Sequence, residues 1–152
     1  MKGSRANAKA YALRLLSYRA RSKKEMFERL ERKGFDSGQI NSAVKFLEDA
    51  DLINDKSLAI DLFKYSTERK SLGKKGIAMF LGRRGIDRRL VEKTLSDHTQ
   101  DMEERAALEF VERKMEVLRG NSRDVIKRRL WGMLQRRGFS YNVIKQAVDS
   151  VL

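Results

Sequence analysis

His98 is the only histidine in the chain, and there is no cysteine. Nucleophile–base pairs of the Ser/His or Cys/His kind need an imidazole, and the usual zinc sites need several imidazoles or thiolates. One histidine cannot build a zinc set. His98 also falls on an inward stripe, at the place equivalent to Leu47, so it reads as a helix-end or partly buried side chain rather than a catalytic base. The acids gather twice: Glu48, Asp49 and Asp51 near one helix end, and Asp101, Glu103 and Glu104 near a helix start. Neither group has the spacing of an EF-hand loop, and both read as solvated surface. S71-L72-G73-K74-K75-G76 holds a G-x-x-G but not the longer P-loop pattern. The same spacing clamps nucleic acid in KH domains, which mix strands with helices. At a helix start, Lys74 and Lys75 with free backbone N–H groups could meet phosphate, or the segment could be only a flexible start. No enzymatic activity, metal or cofactor is expected.

The cations carry more information. Of 152 residues, 34 are Lys or Arg and 21 Asp or Glu, a formal net charge of +13. A small domain needs far less charge than that for solubility, and such a field attracts polyanions. Pairs of cations recur in the middle and last parts of the chain: Lys74 and Lys75, Arg83 and Arg84, Arg88 and Arg89, then Arg128 and Arg129, Arg136 and Arg137. These ten are the candidate contact residues, and their role would be electrostatic docking. Tyr11, Tyr18, Tyr65 and Tyr141 could stack on bases, although their helical spacing also suits the edge of a core. Trp131, beside Leu130, reads as core.

What must position these side chains is a repeat. R32-K33-G34-F35-D36 returns as R83-R84-G85-I86-D87 and as R136-R137-G138-F139-S140. Four residues before each glycine stands Leu30, Leu81 or Leu134, and eight before it Met26, Ile77 or Leu130. Six after each stands Ile40, Val91 or Ile144, and ten after it Val44, Leu95 or Val148. These steps are helical. A helix ending at Lys33, Arg84 or Arg137 would close on a left-handed glycine, with cations at the negative end of its dipole. Asp36, Asp87 and Ser140 would cap the next helix. Ala12, Ala59 and Ala107, 47 and 48 residues apart, each open an apolar stripe ahead of these turns. The pattern predicts three helices per unit and three units. The fold expected is all-α, an array of three tandem three-helix repeats, with a tail over 1–7 and repeats over 8–53, 54–100 and 101–152. The absence of proline agrees with helices. No apolar run approaches a membrane span, and M1-K2-G3-S4-R5-A6-N7 has no apolar signal region. With no cysteine, a cytoplasmic protein is expected.

L16 through F35 resembles the first-repeat signature of the RecX recombination regulators. L52-I53-N54-D55-K56-S57-L58-A59 is similar to their junction into the second repeat. R69 through G73, with I77, L81 and R84-G85-I86, looks like the second-repeat motif, and R128 to F139 the third. Asn54 stands where the family commonly has Asp, and Asp51 and Ser71 where it often has Gly. The resemblance implies an elongated, curved protein that binds the RecA recombinase filament on DNA, in or across its helical groove. It implies inhibition of filament extension or activity, including ATPase, strand exchange and co-protease function. Contact with single- or double-stranded DNA would be weak and non-specific, and the protein a monomer.

Two other readings compete. The turns around Gly34 and Gly85 also resemble helix-turn-helix units, which would make the following helices duplex-DNA readers through Gln39, Asn41 and Lys45, or Arg88, Arg89 and Lys93. A helical-repeat adaptor for another acidic protein needs only the array and its charge.

Overall fold

The computed structural model describes residues 8–152; the tail over 1–7 lies outside them. The described residues form nine helices: α1 (Ala8–Tyr18), α2 (Lys23–Lys33), α3 (Ser37–Asp49), α4 (Asp55–Glu68), α5 (Lys74–Arg83), α6 (Arg88–Leu95), α7 (Gln100–Leu118), α8 (Arg123–Arg136) and α9 (Tyr141–Val151). They contain no strand.

Three separate apolar cores account for the repeat. Met26, Leu30, Val44 and Leu47 are at most 1% exposed in the first unit. Ile77 and Leu81 are sealed in the second, and Leu130, Leu134 and Val148 in the third. Ala12, Ala59 and Ala107 have no exposure at all. A methyl group there lets the first helix of each unit approach its partners closely. The distance from alanine to turn glycine grows from 22 to 26 to 31 residues: the first increase comes from the longer first helix and its connection, and most of the second from α8, which has 14 residues against 10 in α5.

The three turns are one structure built three times. Gly34, Gly85 and Gly138 have φ of 103°, 85° and 83°. Behind each, the glycine N–H donates three residues back, to Glu31, Gly82 and Gln135, and the next N–H donates five back, from Phe35 to Leu30, Ile86 to Leu81 and Phe139 to Leu134. This is the Schellman arrangement, in which a left-handed residue satisfies the last helical carbonyls. α5 and α8 end one residue earlier than expected, at Arg83 and Arg136, with Arg84 and Arg137 in the cap position.

The helix starts agree with the side chains at them, with one difference. Ser22 and Glu25 form a reciprocal capping box on α2, and Asp36 and Gln39 another on α3. Asn54, Asp87 and Ser122 accept from the third residue of α4, α6 and α8. Ser140 makes no such bond on α9, whose start is held by packing of Phe139 and Val143 into the third core. Asp51 and Ser71, where the resemblance leads one to expect glycine, both take left-handed backbone, with φ of 58° and 52°. The backbone keeps the glycine geometry and the side chains bear its steric cost.

Candidate interaction surface

The units meet through a joint that the chain also repeats. In each joint an acid from the first helix of one unit caps the second helix of the unit before it. The Lys23 N–H donates to Asp55 Oδ1 at 2.8 Å, and the Lys74 N–H to Glu103 Oε2 at 2.5 Å. Both donors open a helix and have no partner within it. Burial pushes the Asp55 carboxyl up, against the pull of the Lys23 amide, with Glu48 and Asp87 adding to the rise.

The turn glycine of each later unit then presses on the same helix start. A side chain on Gly85 would strike the Ser22 hydroxyl, and one on Gly138 would strike the Gly76 backbone. At the second joint the contact is backbone to backbone. The Gly73 N–H donates to the Arg137 carbonyl at 2.9 Å, and a Cβ on Gly73 or Gly76 would run into Phe139 or Arg137. This is the role of the G-x-x-G segment: its first two amides are already engaged by Arg137 and Glu103, and its glycines admit a neighbouring turn. A side chain on Gly34, in the first unit, would meet nothing within 4 Å.

The ten candidate cations therefore divide. Arg84 crosses the first joint: its Nε donates to Glu25 Oε2 at 3.0 Å, and a terminal nitrogen donates to the Ala20 carbonyl at 2.9 Å. The Arg84 and Glu25 side chains are only 16% and 15% exposed. Burial alone would raise the Glu25 carboxyl, but hydrogen bonds from Arg84 and the Ser22 amide, with the charges of Arg84 and Arg19, hold it below the ordinary range. Arg137 occupies the matching place in the second joint. Gly76 there replaces the glutamate, so the guanidinium lies over Phe110, 4.3 Å from the ring centroid, with Nε buried and without a hydrogen-bond partner. Burial, with Arg136 and Arg113 nearby, lowers its pKa.

The other eight, Lys74, Lys75, Arg83, Arg88, Arg89, Arg128, Arg129 and Arg136, are exposed. Arg88 pairs with Glu92 along α6 at 3.2 Å, an exposed contact of small energetic weight. Lys74 and Lys75 stand in the first turn of α5, at the positive end of its dipole, where cations are unfavourable. Tyr18, Tyr65 and Tyr141 are exposed and Tyr11 half-buried; Trp131 is half-buried, with its ring edge-on to Tyr141.

His98 faces inward but lies in the connection between α6 and α7, immediately before the cap of α7, so its counterpart is Ile53 rather than Leu47. His98 is 5% exposed and edge-on to Phe63, with Nε2 buried and without a partner. Burial lowers its pKa, with Glu103 opposing and Lys74 reinforcing the shift. Among the described residues no group of three or more His, Asp or Glu could hold a metal ion, and no helix is long and apolar enough to cross a membrane.

Stacked three-helix units with a cation-rich surface define a helical-repeat protein. Residues 8–47 match the RecX first three-helix domain and residues 102–148 the RecX third three-helix domain. The chain is 30% identical to regulatory protein RecX of Chlorobium limicola over 146 residues, 95% of this chain and 89% of that one. It is 31% identical to regulatory protein RecX of Chlorobaculum tepidum over 150 residues, 99% of this chain and 91% of that one. The crystal structure of RecX from Lactobacillus salivarius superposes with a TM-score of 0.81 and 25% identity, covering 99% of this chain and 97% of that one. The chain belongs to the RecX family.

Proposed function

We propose that this protein binds the RecA–DNA filament and inhibits its extension or its ATPase, strand-exchange and co-protease activities, with no chemistry of its own. Family membership along nearly the whole chain carries the reading, since the relatives are called regulatory proteins. Two features of the molecule support it. Joints built from caps, glycines and an ion pair make a firm scaffold for a long contact surface. The exposed cations of α5, α6 and α8 provide electrostatic docking to a polyanionic filament.

The test is RecA's DNA-dependent ATPase with this protein added below stoichiometry. A fall in rate is expected, and no change at any ratio, with filaments verified, rejects the reading. Replacing Arg83, Arg88 and Arg89 together by Ala should weaken the effect at unchanged thermal stability. Arg84 stays intact in that variant because it holds a joint. Sequence-preferring, salt-dependent DNA binding without any effect on RecA would make the protein a duplex-DNA reader instead.

A further inference from the structure

An open trough runs along α4, the first helix of the second unit: α7 of the third unit forms its opposite wall at one end, and α6, through Leu90, Lys93 and Thr94, forms it at the other. It consists of two adjoining depressions of about 420 and 360 Å³ that share Phe63 and Met102 in their walls. α4 contributes Lys56, Ile60, Phe63 and Thr67, and α7 contributes Met102, Ala106, Glu109 and Arg113. Each set steps by three or four residues, so each helix gives one face to the trough. Ile60 is 52% exposed and Met102 49%, leaving apolar surface in water beside Phe63. The spacing along α4 from Lys56 to Thr67 corresponds to roughly 16 Å, enough for about three turns of a guest helix.

His98 sets this trough apart from ordinary surface relief. It lines the larger depression, and its Nε2 is buried and unpartnered. The residue immediately before the cap of α4 is Ile53, 3% exposed in the first core; His98 holds the matching place immediately before the cap of α7. The chain thus solves the same packing problem once with an aliphatic side chain and once with a polar ring left short of a hydrogen bond. Buried polar atoms without partners are uncommon and costly, and a guest able to bond Nε2 would remove that cost.

Charge gives the guest its polarity. Lys56 and Lys93 border the smaller depression against Asp97 alone. In the larger one Arg105 and Arg113 balance Glu68 and Glu109. The surplus is therefore positive at the Ile60 end, within a chain that is itself strongly basic.

We propose that the trough along α4, walled by α7 at one end and α6 at the other, docks an apolar–acidic helical segment of a protein partner. Its aliphatic side chains cover Ile60, Phe63 and Met102, a carboxylate meets Lys56 and Lys93, and a turn of the His98 ring, which lines the larger depression, brings Nε2 to a hydrogen-bonding group of the guest. The assignment rests on the filament reading above and gives its protein contact, as distinct from its DNA contact, a place.

The experiment compares the wild-type chain with Ile60→Glu, Met102→Glu and His98→Leu in two assays, inhibition of RecA ATPase and DNA binding by fluorescence anisotropy. Ile60→Glu and Met102→Glu change exposed positions and should keep the melting temperature and DNA affinity while weakening inhibition at least tenfold. His98→Leu should weaken inhibition without lowering the melting temperature, an outcome that a purely structural histidine would not give. Wild-type inhibition by Ile60→Glu and Met102→Glu overturns the site and leaves the filament reading standing. If the wild-type chain itself has no effect on RecA, the filament reading fails. The trough is then tested with a synthetic helical peptide carrying a leucine stripe and glutamates at one end. Methyl NMR shifts at Ile60 and Met102, absent for a lysine-ended peptide, support the site; no shift, or equal shifts with both peptides, rejects it.

Discussion

Arg84 Nε lies 3.0 Å from Glu25 Oε2, across 59 positions of sequence and across the boundary between the first two repeats. Glu25 also completes the capping box of α2 by accepting from the Ser22 N–H at 3.0 Å. One carboxylate therefore caps the start of a helix within its own unit and fastens the next unit to it.

Arg84→Ala should destabilise the protein by about 2 kcal/mol, between the small value of an exposed pair and the large one of a fully buried pair. Glu25→Gln should cost a similar amount, and the double variant less than the sum. Urea denaturation of the four proteins measures the coupling. Glu25 has a depressed folded pKa, so its contribution is present above the unfolded carboxylate pKa and is lost as pH falls through the folded one. The Arg84→Ala variant should show a weaker loss of stability on acidification below about pH 4.5.

Gly76→Ala should open the second joint, because a methyl group there meets the Arg137 carbonyl rather than a movable side chain. We expect a lower melting temperature and faster amide exchange at Gly73. Gly82→Ala is the contrast: it lies within α5 with nothing within 4 Å, so it should raise stability by up to about 1 kcal/mol. Calorimetry on both variants tests the pair of signs.

His98 makes a pH dependence that can be assigned to one residue, since the chain has no other histidine. Its folded pKa is lowered, chiefly by burial, while the unfolded chain protonates near pH 6.5. Stability from this group is complete above pH 6.5 and declines as pH falls below it. Melting temperatures of the wild-type chain should drop between pH 7 and 5.5, and His98→Leu should remove most of that slope. An equal slope in both proteins would mean that the histidine is not the origin.

Asp51→Gly should stabilise the junction ahead of α4. Asp51 holds a φ of 58°, which glycine adopts without steric cost. The gain, up to about 1 kcal/mol, is offset in part by loss of the exposed Asn54-to-Asp51 hydrogen bond. A rise of a few degrees in melting temperature is expected.

The elements were legible because their causes are local. Leu30, Leu81 and Leu134 recur four residues before a glycine, and that spacing needs no knowledge of the rest of the chain. The left-handed glycines, the Ser22 box and the caps at Asn54, Asp87 and Ser122 follow from side chains within four residues of the groups they satisfy. Ser140 shows the limit, since a residue type that commonly caps does not do so where packing already holds the helix start.

The surface was harder to read. R83-R84 and R136-R137 look alike in sequence, yet one arginine of each pair stays in water and the other enters a joint. Which one turns inward depends on the helix that ends there and on the neighbour that meets it. The glycines at 73 and 76 read as a flexible helix start or a contact for phosphate; their partners in the fold are Phe139 and Arg137, more than sixty residues away. A matching clue was present in the repeat, because Glu25 and Gly76 occupy equivalent places after Ser22 and Gly73.

The sequence by itself determined the units: three apolar stripes, their turns and their caps, all set by interactions across a few residues. Only the tertiary structure decided how the units join, which cations remain free, and that His98 is buried beside an open trough. Those outcomes depend on close approach between segments distant along the chain, and residue type alone does not specify which surfaces come into van der Waals contact.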